Sequence, residues 1–132
     1  MNTASPRSNR APLNLAMGWV GLVAAIAAVV GHLAGLGSGF FGICVLAVAA
    51  SLVLMYATRK SDEYTLSLWS SATNAAFAMI LVWMLAAPAI EGFFDGLLGI
   101  ENGQDFPSQA APLASILAFY LVFNVKRLTG AM

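Results

Sequence analysis

Charge is scarce in this sequence. Asp, Glu, Lys and Arg make up 9% of 132 residues, against about 25% in an ordinary soluble domain. With 60% hydrophobic residues, that scarcity excludes both a soluble enzyme domain and a disordered chain. Six basic and six acidic residues cancel, so there is no cationic excess to hold nucleic acid. Cysteine is limited to Cys44, which excludes an intrachain disulfide and any Cys-x-x-Cys redox or zinc site. A lone thiol of this kind reads as a small apolar filler. Gly-rich phosphate loops, nucleophile elbows and paired carboxylates are missing too, and with them the usual chemistry of catalysis. The expectation is a protein that is not an enzyme and carries no cofactor.

What the chain has instead is long uncharged runs. No charged residue occurs for 48 positions between Arg10 and Arg59, for 27 between Glu63 and Glu91, or for 20 between Asp105 and Lys126. A transmembrane helix needs about 20 mainly apolar residues. The second and third runs each hold one helix, and the first holds two. The break inside the first falls at Gly35-Leu36-Gly37-Ser38-Gly39, where glycine favours a turn. The expected spans are 13–35, 39–58, 64–87 and 108–126. Helix is the required form because lipid offers the backbone no hydrogen-bond partner, and the alternating segments of a membrane β-barrel are missing. The run from Leu13 to Leu36 exceeds the core of a signal peptide, so the first span is read as retained, with Pro12 in its first turn.

The basic residues are Arg7, Arg10, Arg59, Lys60, Lys126 and Arg127. With four crossings they all fall on one side: before the first span, between the second and third, and after the fourth. By the positive-inside rule that side is the cytoplasm. An odd number of crossings would mix the sides. Both termini are therefore expected in the cytoplasm, in a membrane of the bacterial inner type. Asp62 and Glu63 sit where they cap the third helix. Arg59 and Lys60 suit the end of the second, facing its dipole and anionic lipid. Glu91, Asp95, Glu101 and Asp105 form an acidic outer surface.

Pro88 is expected to end the third span, leaving 88–99 as a short interfacial helix. At 100° per residue, Ile90, Phe93, Phe94, Leu97 and Leu98 share one arc, with Glu91 and Asp95 opposite. The fold class is thus all-α: a polytopic membrane protein of four transmembrane helices in two hairpins, with a short amphipathic surface helix between helices 3 and 4. Residues 1–12 form a cytoplasmic tail and 13–132 one domain.

Membrane helices associate through small and polar residues. The first span lines up Gly18, Gly21, Ala25, Ala28, His32 and Gly35. The second offers Cys44, Ala47 and Ser51. The third offers Ser67, Ser71, Asn74 and Ala78, and the fourth Ala111, Ser115 and Ala118. Trp19, Tyr56, Tyr64, Trp69 and Tyr120 read as an interfacial belt on the cytoplasmic side, and Trp83 lies nearer the outer end. His32 is the single histidine. It reads as a packing residue, with haem, metal or proton-relay roles as the alternatives. Asn74 lies at mid-span, where an amide without a partner is costly, so it is expected to face protein.

No acidic or basic residue is expected deep in any span, which counts against proton-coupled pumping. The leading expectation is a non-catalytic accessory or assembly subunit. It would pack through helix faces against other membrane protein subunits or itself, with membrane lipid around it and no nucleic acid. The alternative is a homo-oligomeric transporter or channel lined by Ser67, Ser71, Asn74 and His32. A weaker alternative is a haem-carrying redox subunit using His32.

Overall fold

A computed structural model describes residues 9–99 and 110–130. Within them the chain forms four helices and no strand: α1 (Ala11–Leu33), α2 (Ser38–Thr58), α3 (Glu63–Leu98) and α4 (Ala111–Thr129). All four are long and apolar enough to cross a membrane. The large apolar side chains of α1 and α2 point outward: Val23, Val30, Ile43, Leu46 and Val53 are all exposed. Small residues turn inward. This arrangement suits lipid, because the solvent is then as apolar as the core.

The chain divides near Trp69 into two units. In the first, α1 packs antiparallel on α2. Their contact is built from Gly18, Gly21, Ala25 and Ala28 on one side and Cys44, Val48, Ser51 and Met55 on the other, all buried. The turn between them follows from a single glycine. Gly35 takes φ +70°, a conformation that side-chain-bearing residues adopt only at a cost. The Leu36 amide then donates to the Gly31 carbonyl and the Gly35 amide to that of His32, the paired bonds of a Schellman stop.

Four residues connect α2 to α3. The Ser61 amide and hydroxyl both donate to the Thr58 carbonyl. Asp62 caps α3: its carboxylate accepts from the Thr65 amide at 2.6 Å, and its own amide donates to Thr65 Oγ1 at 3.4 Å. This reciprocal pair satisfies two of the donors that a helix start leaves open. Asp62→Ala is expected to destabilise the protein by about 1 kcal/mol, as lost N-caps do. Denaturant titration in detergent, followed by circular dichroism, measures it; a change near zero would contradict the capping role.

The second unit holds the rest of α3, from Ser70, together with α4. Its core includes the α4 aromatics Phe119, Tyr120 and Phe123, the last two fully buried. Phe119 meets Tyr120 edge to face and stacks on Phe123. Pro112 opens α4, Lys126 and Arg127 lie in its last turn, and Gly130 closes it in the left-handed conformation. Each of these suits its place on the helix.

Two expectations are corrected. Pro88 does not end the third helix, which runs on as one element of 36 residues to Leu98; there is no separate helix at 88–99. Proline removes one backbone donor, but membrane helices tolerate that loss. The helix instead ends at Gly99, where φ is +62°. Tyr120 is likewise no belt residue, since it is fully buried in mid-helix. A tyrosine at that depth packs its ring with the other α4 aromatics rather than anchoring at an interface.

Candidate functional site

The most polar of the buried contacts ties the first turns of α1 to the last turns of α2. Asn14 is fully buried. Its side-chain amide donates to the Met55 carbonyl at 2.8 Å and to Thr58 Oγ1 at 2.9 Å. Thr58 passes its own proton to the Leu54 carbonyl at 2.6 Å, so its oxygen is free to accept. One turn deeper, Ser51 donates to the Met17 carbonyl at 3.1 Å. Asn14 Oδ1 finds no hydrogen-bond partner among the described residues.

Sequence reasoning passed over Asn14 and Thr58, yet a signal was present. Asn14 continues the stripe of Gly18, Gly21, Ala25 and Ala28 at 3–4 residue spacing, and Thr58 continues that of Ser51 and Met55. At its other end the α1 stripe differs from expectation. The buried position is Gly31, where a Cβ would overlap the Phe40 ring. His32 and Gly35 are exposed. The His32 ring lies 6.1 Å from that of Phe41, tilted by 55°. Helical rotation explains the shift: residues 28 and 31 stay on the packed face, and 32 has turned past its edge.

At the end of α2 the aromatic and basic residues form one group. The Arg59 guanidinium lies 3.5 Å from the centre of the Tyr56 ring and donates to the Tyr56 carbonyl at 3.0 Å. Tyr56 meets the Trp69 ring edge-on at 5.9 Å. A cation held over an aromatic face beside an indole suits an interfacial layer.

The candidates on α3 do not share one environment. Ser67 and Ser71 are half-buried, while Asn74 and Ala78 are exposed. Ser71 accepts a hydrogen bond from Lys126 Nζ on α4 at 2.8 Å, so this cation holds two helices together. Asn74 is exposed, so the protein it is expected to face is not supplied by α4 within its own unit. Its side chain makes no hydrogen bond to another described residue. On α4, Ala111, Ser115 and Ala118 are buried, and Ser115 donates to the Pro112 carbonyl of its own helix at 2.7 Å. Asn124, which the sequence reading did not single out, is buried and donates to the Tyr120 carbonyl at 2.8 Å.

Glu91 and Asp95 lie in the last third of α3. They are half-buried, whereas Phe93, Phe94, Leu97 and Leu98 on the opposing arc are exposed. Glu101 and Asp105 lie outside the described residues. Among the described residues no group of three or more His, Cys, Asp or Glu converges on a point. Cys44 is free and buried between the helices of the first unit. A shallow apolar groove of about 170 Å³ runs along α3, lined by Val82, Trp83, Ala86, Ala87 and Ile90.

These side chains hold helices together and present faces. No protein-family model, curated protein or solved structure matches the chain.

Proposed function

We propose that this is a small integral membrane protein that works as a non-catalytic accessory or assembly subunit, engaging its partners through helix faces. We place it in an inner, cytoplasmic-type membrane with both termini in the cytoplasm. The distribution of Arg7, Arg10, Arg59, Lys60, Lys126 and Arg127 supports that orientation.

One observation carries the functional reading. The apolar window of α3 contains no buried residue, whereas a third of the corresponding windows in α1 and α4 is buried. A helix with no buried residue beyond Ala72, yet with an exposed amide at mid-span, is suited to packing against another helix. Lipid would leave that amide unpaired. Protein partners and surrounding lipid are thus the expected company of this chain, and no step of chemistry is assigned to it.

Purification from native membranes in mild detergent, followed by mass measurement of the intact particle, tests this. The expected result is a stoichiometric assembly larger than the 13.8 kDa protomer. A lone protomer that conducts ions or carries solute when reconstituted into vesicles would overturn it.

A further inference from the structure

We propose that α3 pairs with α3 of a second copy of this chain, about a seam centred on Asn74. The inference rests on the functional reading above and names the partner.

Most residues of α3 beyond Ala72 are exposed, and one exposed stripe has the spacing of a helix seam. Ser70, Asn74, Phe77, Leu81, Met84 and Pro88 are all exposed. They follow one another at alternating spacings of four and three residues. That is the a/d repeat by which two helices wind together at a shallow angle. Phe77 and Met84 are more than 60% exposed, so the seam is not used by α4 within the second unit. All six residues belong to the second unit.

Asn74 decides the occupant. A carboxamide carries donor and acceptor together, so its simplest complement is another carboxamide. Every copy of the chain inserts in the same sense, because the six basic residues hold the same side. Two α3 helices must therefore run parallel. Around a two-fold axis each residue then meets its own counterpart at the same depth. Asn74 meets Asn74 of the partner copy, and both amides are satisfied inside the hydrocarbon. A different membrane protein would need a polar side chain placed at that one level. In soluble coiled coils a single Asn at an a position sets register and the number of strands; among membrane helices such amides drive association directly. Pro88 closes the seam, since its ring lies on the face where the partner's backbone would have to approach.

The test uses the full-length protein, fluorescently labelled at its C-terminus and reconstituted into lipid vesicles over a range of protein-to-lipid ratios. Dimer fraction is read by single-molecule photobleaching. Wild type should dimerise. Asn74→Leu should weaken the dimer by about 3–30-fold, the range of one interhelical amide contact, whereas Asn74→Gln should keep most of the affinity. Leu81→Trp, on the same seam, should weaken the dimer as well. Ile43→Trp, on an exposed face of α2, should leave it unchanged. Because Asn74 is exposed, Asn74→Leu should leave folding intact, which circular dichroism verifies.

Two results would overturn self-pairing. One is wild type that stays monomeric at every density. The other is a dimer indifferent to both Asn74→Leu and Leu81→Trp. If a photo-crosslinker at position 81 in native membranes then reacts with a different protein, the accessory reading stands and only the choice of partner fails. If it reacts with no protein, both readings fail.

Discussion

Asn14→Asp should destabilise the protein by about 3 kcal/mol or more, while the larger chemical change Asn14→Leu should cost only about 1 kcal/mol. The two substitutions act on the same fully buried site in different ways. The Asn14 amide points two protons at the Met55 carbonyl and at Thr58 Oγ1. Aspartate is nearly isosteric, but it replaces those donors with an oxygen facing an oxygen. It also places a carboxylate at a fully buried site. Leaving buried hydrogen-bonding groups unpaired costs about 1–3 kcal/mol, and more when a charged group is involved.

Leucine removes the two bonds without stranding their partners. Thr58 Oγ1 keeps its bond to the Leu54 carbonyl, and Leu54 and Met55 keep their helical surroundings. Interhelical bonds of this kind average about 0.6 kcal/mol in a membrane. The partnerless Asn14 Oδ1 is removed as well, which offsets part of the loss. Unfolding in mixed micelles, followed by intrinsic fluorescence, gives both values. If leucine proves worse than aspartate, Asn14 is a space-filling residue and its hydrogen bonds do not hold the hairpin.

The second large effect is expected from Phe123→Ala, at about 2–3 kcal/mol. Phe123 is fully buried and stacks on Phe119. In water the cost of such a truncation has two parts, loss of transfer free energy and the cavity left behind. In a membrane the first part shrinks, since lipid is as apolar as the core. The cavity term remains, at about 24 cal/mol per Å³. Leu46→Ala provides the contrast. Leu46 is 71% exposed, so lipid or detergent fills the space and the expected change is within about 0.5 kcal/mol. Comparable losses at both positions would mean that Leu46 is covered by protein and that the exposed faces do not meet lipid.

Much of the fold can be read from charge alone. The uncharged runs end at Arg10, Arg59, Glu63, Glu91, Asp105 and Lys126; α1 and α3 begin, and α2 and α4 end, within a few residues of such marks, whereas the α1–α2 turn and the far end of α3 have no such mark. The Gly35 turn was legible because few other residues adopt its backbone conformation at low cost. The cap at Asp62 was legible because capping is local. So was the inward stripe of Gly18, Gly21, Ala25 and Ala28, since close helix approach requires small residues.

Other features were not legible, for physical reasons. Pro88 marks a helix end in water but is tolerated inside a membrane helix, and the residues after it continue the helix as far as Gly99. Tyr120 suits an interface or a core equally well by composition. His32 and Gly31 are neighbours, and which of them meets α2 depends on a few tens of degrees of rotation. Asn74 could be placed at mid-span by counting, but not assigned to a side.

From the amino-acid sequence alone come the four helices long and apolar enough to cross a membrane and their approximate limits. These depend on one chain segment and the solvent around it. The tertiary structure decided that Asn14 and Thr58 form the polar clasp of the first hairpin, that α3 is continuous, and that Asn74 is exposed within its unit. Those outcomes depend on which face of a helix another helix covers, and helical periodicity specifies a face only relative to its own axis.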